Sequence, residues 1–228
     1  MHELDHYAAL LGLQFANSDL FQEALTHRSY LNEHKDARAH NERLEFLGDA
    51  VLELAVTHFL FTKYPNKPEG ELTAFRAALV NTVSLAESAD LIGLNDMLFL
   101  SRGESKDTGR ARQIILANAF EALIGAIYLD QGYAAAESFI ARHLYPKIDG
   151  VVQTRAWQDA KSKFQERAQD VRGTTPAYRT LKEEGPDHGK HFTVGVFVGE
   201  ELIARGEGKS KQEAEQDAAT AALSATGW

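Results

Sequence analysis

Cysteine is absent from the chain. That excludes disulfides, thiolate metal sites and a cysteine nucleophile together. It suits a reducing compartment, so a cytoplasmic location is expected. Basic residues are in deficit, 24 Lys and Arg against 33 Asp and Glu, for a net charge of −9. Taken as a sum, that balance argues against a polyanionic partner. The opening MHELDHYAALLGLQF has no basic stretch leading into an apolar one, so no secretory signal is expected. No apolar run is read as reaching the roughly 18–20 residues of a membrane span, and no membrane association is expected. Internal repeats and low-complexity tracts are also missing.

What is present is ordinary for a globular protein: 44% hydrophobic and 25% charged residues over a length of 228. That length allows one large or two modest domains with real cores. The charge is unevenly spread. Residues 1–154 carry 13 Lys and Arg against 21 Asp and Glu, net −8, whereas residues 155–228 carry 11 against 12, net −1. Two charge balances suggest two domains with different work.

Residues 1–145 read as helical almost throughout. Apolar residues recur at helical spacing over Leu20–Ala24, Leu44–Phe61, Leu72–Leu91 and Ile114–Leu129. Helix-ending residues punctuate them at Tyr64-Pro65 to Gly70, Ile92-Gly93, Gln131-Gly132 and Tyr145-Pro146. Loops are expected at Asn32–Asn41 and Ser101–Arg110. The segment Asp149–Arg155 is weakly patterned and reads as a linker. Beyond it, Trp157–Gln169 is helix-like, with Trp157, Phe164 and Ala168 as candidate inward residues. Ala177–Leu181, His191–Val198 and Glu201–Gly206 are strand-like, with a turn at Gly199-Glu200-Glu201. Ser210–Leu223 is an alanine-rich helix, with Ser210 and Glu213 spaced for a capping box. The expected fold class is two domains: an all-α domain over residues 1–148, a linker over 149–156, and a small α+β domain of order α-β-β-β-α over 157–226.

The chemistry concentrates in Asn41-Glu42-Arg43-Leu44-Glu45-Phe46-Leu47-Gly48-Asp49-Ala50-Val51-Leu52-Glu53. On a helix, Glu42, Glu45, Asp49 and Glu53 fall on one stripe roughly 80° wide. The rest is mainly apolar, so the helix is expected to be buried, with its acids lining something enclosed or bordering a cleft. Clustered carboxylates repel, and burial of unpaired charge is costly. Proton uptake, basic partners or a bound cation relieve that cost. A second apolar helix carries Asn118 and Glu121 at i, i+3, with Gly125 adding no bulk on the same side. An all-oxygen donor set favours a hard ion such as Mg²⁺, with Mn²⁺ as substitute, and suits phosphoryl chemistry. An acidic stripe suits a solvated helix face as well, and the pattern leaves both readings open. Glu53 by itself reads as a surface residue and Glu69 as a turn residue before a helix.

The segment Asn41–Ala50 resembles the signature of the ribonuclease III family. Leu25-Thr26-His27-Arg28-Ser29-Tyr30, Glu69-Gly70-Glu71-Leu72 and Glu121–Asp130 resemble that family too, in its order. The C-terminal segment resembles the double-stranded-RNA-binding domain of its bacterial members. The resemblance implies a helical endonuclease domain that homodimerises, with Glu45, Asp49, Asn118 and Glu121 as Mg²⁺ ligands and Glu42 and Glu69 assisting. It implies hydrolysis of double-stranded RNA to 5′-phosphate and 3′-hydroxyl ends with short 3′ overhangs. It further implies roles in processing ribosomal, messenger and transfer RNA, with no organic cofactor. The family pattern has Asp where this chain has Asn118. An amide oxygen still ligates a metal but brings no charge. Asn118 therefore reads as a tolerated variant, an introduced change, or a mark of lost activity, which would leave a duplex-RNA-binding regulator. The intact acids favour retained cleavage. A small-molecule phosphohydrolase is disfavoured by the appended domain.

Duplex RNA is read by shape, through phosphates and 2′-hydroxyls. Ser162, Gln165, Glu166 and Gln169 share one helix face suited to a minor groove. Pro186 and His188 sit in a loop between strands that suits a second groove. Lys209, Ser210 and Lys211 precede the last helix, whose N-terminus suits phosphate. Gln212 stands where the family often has a third basic residue, and weak, salt-dependent affinity is expected. His27 and His40 read as structural or surface groups.

Overall fold

In a computed structural model, which describes residues 3–37, 39–154, 160–186 and 190–228, the chain divides into the units Met1–Trp157 and Gln158–Trp228. The first unit runs through α1 (Glu3–Leu10), α2 (Ser18–Leu25), α3 (Tyr30–Glu33), α4 (Glu42–Lys63) and α5 (Glu69–Leu79). It continues through α6 (Thr82–Leu91), α7 (Leu94–Met97), α8 (Arg110–Gln131), α9 (Tyr133–His143) and α10 (Lys147–Thr154). Helix α8 is its axis. Phe120, Leu123, Ile124 and Ile127 are fully buried there, in one core with Leu52, Val56 and Leu60 of α4 and Leu85 and Ala89 of α6. By length and composition α8 is apolar enough to cross a bilayer, which the sequence reading did not anticipate, but most of that stretch is buried inside the unit.

Three expectations are corrected. The apolar run Leu72–Leu91 is two helices. Asn81 breaks it, donating from Nδ2 to the carbonyls of Ala77 and Ala78 (3.3 and 2.9 Å) and accepting from Ser84 N at 2.9 Å. One side chain thus closes α5 and caps α6. The expected linker 149–156 is helical as far as Thr154. Ile148 is fully buried, Val151 and Val152 pack on the same core, and Lys63 Nζ pairs with Asp149 at 2.8 Å. Tertiary contacts hold this helix, which is short and carries the poor helix formers Gly150, Val151 and Val152. Finally, α4 is not buried all round: Phe46, Leu54 and Phe61 are exposed, Phe46 by 83%.

The second unit consists of α11 (Ala160–Arg172), β1 (Ala177–Glu184), β2 (His191–Val198), β3 (Glu201–Gly208) and α12 (Lys211–Thr226). The strands form one antiparallel sheet in sequence order. Glu201, expected both to end the turn and to begin the third strand, begins β3 opposite Val198, and Gly199 takes the positive φ of the turn. Val194, Val196 and Val198 are buried, as their alternation predicts. Val196 and Val198 meet Phe164 and Ala168 of α11 and Ala218, Ala219 and Ala222 of α12. Trp157, expected to face inward, lies outside the described residues.

Small residues let α12 lie directly on β3. A Cβ at Gly206 would stand 2.0 Å from the backbone nitrogen of Ala218 and 2.5 Å from the carbonyl oxygen of Ala214. Backbone cannot give way as a flexible side chain does. Gly206→Ala is expected to destabilise the second unit by about 1–3 kcal/mol, the usual range for overpacking. Thermal unfolding of the full chain would report it, and an unchanged transition would mean that β3 and α12 separate freely.

Candidate functional site

Backbone hydrogen bonds fix the start of α4. Asn41, 2% exposed, donates its N–H to the carbonyl of Thr26 at 2.9 Å, and its Nδ2 to that of Ala24 at 3.4 Å. Two turns on, α4 crosses α8 at a pair of glycines. A Cβ on Gly48 would lie 1.8 Å from the carbonyl oxygen of Glu121, and one on Gly125 would lie 2.3 Å from that of Leu44. The helices touch backbone to backbone, so side chains flanking the crossing on both helices enter one space. Gly125 was anticipated as adding no bulk. Gly48 was not, although a glycine inside a helix costs about 1 kcal/mol against alanine and so signals a packing reason.

The flanking groups are Glu45, Asp49, Asn118 and Glu121. Burial pushes the Glu121 carboxyl up to about 8, and the charges of Asp49, Glu45 and Glu53 add to the effect. Glu45 is also raised, first by burial and then by Glu42, with Asp49 adding, while a hydrogen bond with Asn118 opposes the rise. The four predicted ligands are therefore brought together, two from each helix. Among the described residues, no three acidic or imidazole groups are gathered tightly enough to grip an ion. The donors nevertheless fit one: they are all oxygen, they repel one another, and a carboxyl that holds its proton to about 8 is short of a cation.

The other acids lie around this centre. Glu42 is exposed, next to Glu45, and pairs with Arg28 at 3.1 Å. Glu53 pairs with Arg76 Nε at 2.8 Å, and Arg76 Nη1 also donates to Thr57 Oγ1 at 2.9 Å. Arg28 belongs to the family-like segment Leu25–Tyr30, whereas no motif or spacing in the sequence marks Arg76. Glu69 is not gathered with the four. It opens α5, accepts from Thr73 Oγ1 at 2.8 Å, and lines a cavity of about 400 Å³ with Leu60, Phe61, Leu72 and Arg76.

In the second unit, Ser162, Gln165, Glu166 and Gln169 are exposed on α11 at helical spacing. Pro186 is exposed between β1 and β2. His188 lies outside the described residues. Lys209, Ser210 and Lys211 are exposed at the start of α12. The Ser210 hydroxyl accepts from Glu213 N at 3.1 Å. The return bond of the expected capping box shifts by one residue: Glu213 accepts from Lys209 N, at 2.8 Å, and not from Ser210.

Comparison with known proteins matches both units in this order. The family model described as Ribonuclease-III-like covers residues 17–148, and the Double-stranded RNA binding motif covers residues 160–225. Ribonuclease 3 of Staphylococcus aureus (strain JH9) is 46% identical over 218 residues, which is 93% of this chain and 87% of that protein. Ribonuclease 3 of Staphylococcus haemolyticus is 44% identical over 220 residues, 94% of this chain and 87% of that protein. The solved nuclease domain of ribonuclease III from Campylobacter jejuni is 38% identical with a TM-score of 0.57, covering 63% of this chain and 99% of the domain. With a helical nuclease unit, a duplex-RNA-binding unit after it, and relatives of nearly the same length, the chain belongs to the ribonuclease III family and is an endoribonuclease specific for double-stranded RNA.

Proposed function

We propose that Glu45, Asp49, Asn118 and Glu121 hold Mg²⁺, with Mn²⁺ as substitute, and that cleavage leaves 5′-phosphate and 3′-hydroxyl ends with short 3′ overhangs. The observation that carries this reading is the backbone contact at Gly48 and Gly125, with four oxygen donors flanking it. The ion's contribution when bound is Lewis acidity, toward the attacking water and the departing 3′ oxygen. The chain's own part is to hold the donors in register and to release the Glu121 proton as a cation arrives. Asn118 supplies an oxygen without charge and steadies Glu45. Glu42 and Glu69 engage substrate from the edge of the site. Exposed Ser162, Gln165, Glu166, Gln169 and Pro186, with His188, meet the minor grooves, and Lys209, Ser210 and Lys211 meet phosphate. The RNAs cut are precursors of ribosomal and transfer RNA and some messenger RNAs, in the cytoplasm.

The test is cleavage of a labelled RNA duplex by the purified chain with Mg²⁺, Mn²⁺ or chelator. Cutting that stops with chelator is expected, and cutting that persists would overturn the metal reading. Asn118→Asp restores a fourth charge. It is expected to lower the Mg²⁺ concentration for half-maximal cleavage about tenfold, the equivalent of about 1.4 kcal/mol. Nothing in the fold or the relatives favours a chain that binds without cutting. Cleavage by Asn118→Asp alone would revive that reading.

Staggered cuts need two sites, and we propose that the chain acts as a homodimer through the exposed face of α4. Phe46 carries this reading: an aromatic ring 83% exposed beside a helix crossing is ill-placed in water. Phe46→Glu is expected to weaken self-association about thirtyfold or more, the loss typical of a central aromatic anchor. Sedimentation at graded concentrations would show it, and an unchanged dimer would exclude this face.

A further inference from the structure

The loop between α7 and α8 is held with unusual completeness for an exposed segment. Its start is tied to the helix that opens the acidic site: His27 N donates to Phe99 O at 3.0 Å while Asn41 N donates to Thr26 O at 2.9 Å. Ser101 N donates to Ser29 Oγ at 3.1 Å, and Arg102 N to the Glu33 carboxylate at 3.2 Å. Its far end is gathered by one side chain on the first turn of α8. Arg112 donates from Nε to Asp107 O at 3.0 Å, and from Nη2 to Glu104 O at 3.2 Å and Ser105 O at 2.9 Å. Its remaining nitrogen, Nη1, is shut off from solvent and has no partner among the described residues. A guanidinium so enclosed is poorly placed to meet RNA itself.

The loop carries Arg102 and Lys106 beside Glu104 and Asp107, and Arg110 opens α8 at its end. Those three cations are exposed in a unit where residues 1–154 carry 13 basic against 21 acidic groups. Glu104 and Glu42 both act on His27, so the loop and the first turn of α4 face the same neighbourhood. Phosphates crossing the acidic centre need such cations beside it.

We propose that Arg112 is a positioning residue: its fork over the carbonyls of Glu104, Ser105 and Asp107 sets the loop in the shape that presents Arg102, Lys106 and Arg110 to the phosphates of a bound duplex. This rests on the reading of the site as the place of RNA cleavage. Lysine cannot replace the fork, because an ammonium is a point charge and does not span three carbonyls in one plane.

The test uses the full chain and two readouts. Trypsin cleaves after Arg102, Lys106 and Arg110 only where the loop is loose. Equilibrium binding of a labelled duplex in chelator, over a salt series, counts phosphate contacts without any need for turnover. In Arg112→Gln and Arg112→Lys alike, cutting within the loop is expected to speed up about tenfold or more, as braced backbone opens. Duplex binding is expected to weaken about tenfold with a salt slope flattened by about one unit or more, at an unchanged melting temperature. Glu33→Gln, which loosens the other anchor on an exposed residue, is expected to shift both in the same direction by less. It decides the matter if Arg112 variants fail to fold. A lysine variant that behaves as the parent would reduce Arg112 to a charge and overturn the proposal. A loop that stays resistant in Arg112→Gln, or is already cut in the parent, overturns it too. A protected parent loop with no duplex binding at all would instead sink the RNA reading and leave the brace as packing.

Discussion

Glu121→Gln is expected to cut cleavage sharply and, in metal-free protein, to make the fold more stable in mild alkali. Both effects come from one carboxyl. The folded group ionises only near 8, because burial and then Asp49, Glu45 and Glu53 oppose its charge, while the same group in the unfolded chain ionises near its ordinary 4.5. A carboxyl raised in the folded state contributes stability that is complete below 4.5 and is lost as pH rises through 8. Metal-free parent should therefore weaken steadily across that window. Glutamine carries no proton to lose, so its curve should be flatter and cross above the parent on the alkaline side. Cleavage moves the other way, by on the order of 10²–10³-fold, the scale for removing one preorganised electrostatic group. Denaturation midpoints from pH 4 to 9 in chelator, set beside duplex cleavage with metal, test both. Parallel stability curves would mean that Glu121 does not hold its proton, and full cleavage would remove it from the site.

Gly48→Ala is expected to damage both the fold and the site. The added methyl would stand 1.8 Å from the carbonyl oxygen of Glu121, with the backbone nitrogen of Gly125 2.9 Å away. No rotamer relieves this, because Cβ has none. The helices must part by more than an ångström along a contact that also involves Gly125 and Leu44. The cost should reach or exceed the upper end of about 1–3 kcal/mol for overpacking. For a chain of this size that is a fall in melting temperature of about 6–12 °C. Separation also spreads Glu45 and Asp49 from Asn118 and Glu121, so cleavage should fall further than stability explains. Gly150→Ala is the control: it lies within α10, a Cβ there meets nothing within 4 Å, and the change should be neutral or mildly stabilising. Equal melting temperatures for the two variants would show that α4 and α8 tolerate separation.

How much of this was legible beforehand differs from element to element. The acids of α4 stood out because four carboxylates at i, i+3, i+7 and i+11 in apolar company conflict with local electrostatics. That conflict survives in the fold as the raised Glu121. The alternating valines of β2 were readable because each faces one side of a sheet. The break at Asn81 was not, since apolar spacing continues across it and the decision lies in one amide bridging two helix ends. Helix α10 was hidden for another reason: it is short, Gly150, Val151 and Val152 are poor helix formers, and its hold is tertiary. The exposure of Phe46 was unreadable because hydrophobicity does not say whether a ring is covered by its own fold. The brace at Arg112 left no trace at all, since its partners are carbonyls, which every residue has.

Trp228 stacks on Phe164 at 5.4 Å and 16°, with the Arg172 guanidinium 5.9 Å from its ring. It thereby seals one end of α12, while Lys209, Ser210 and Lys211 stand at the other. A 16-residue helix separates the two ends by about 24 Å. Nature has thus left a fluorophore packed on the core of the RNA-binding unit, where it senses that unit's melting. In a Trp157→Phe background, its emission would follow that unit's unfolding alone, without a label.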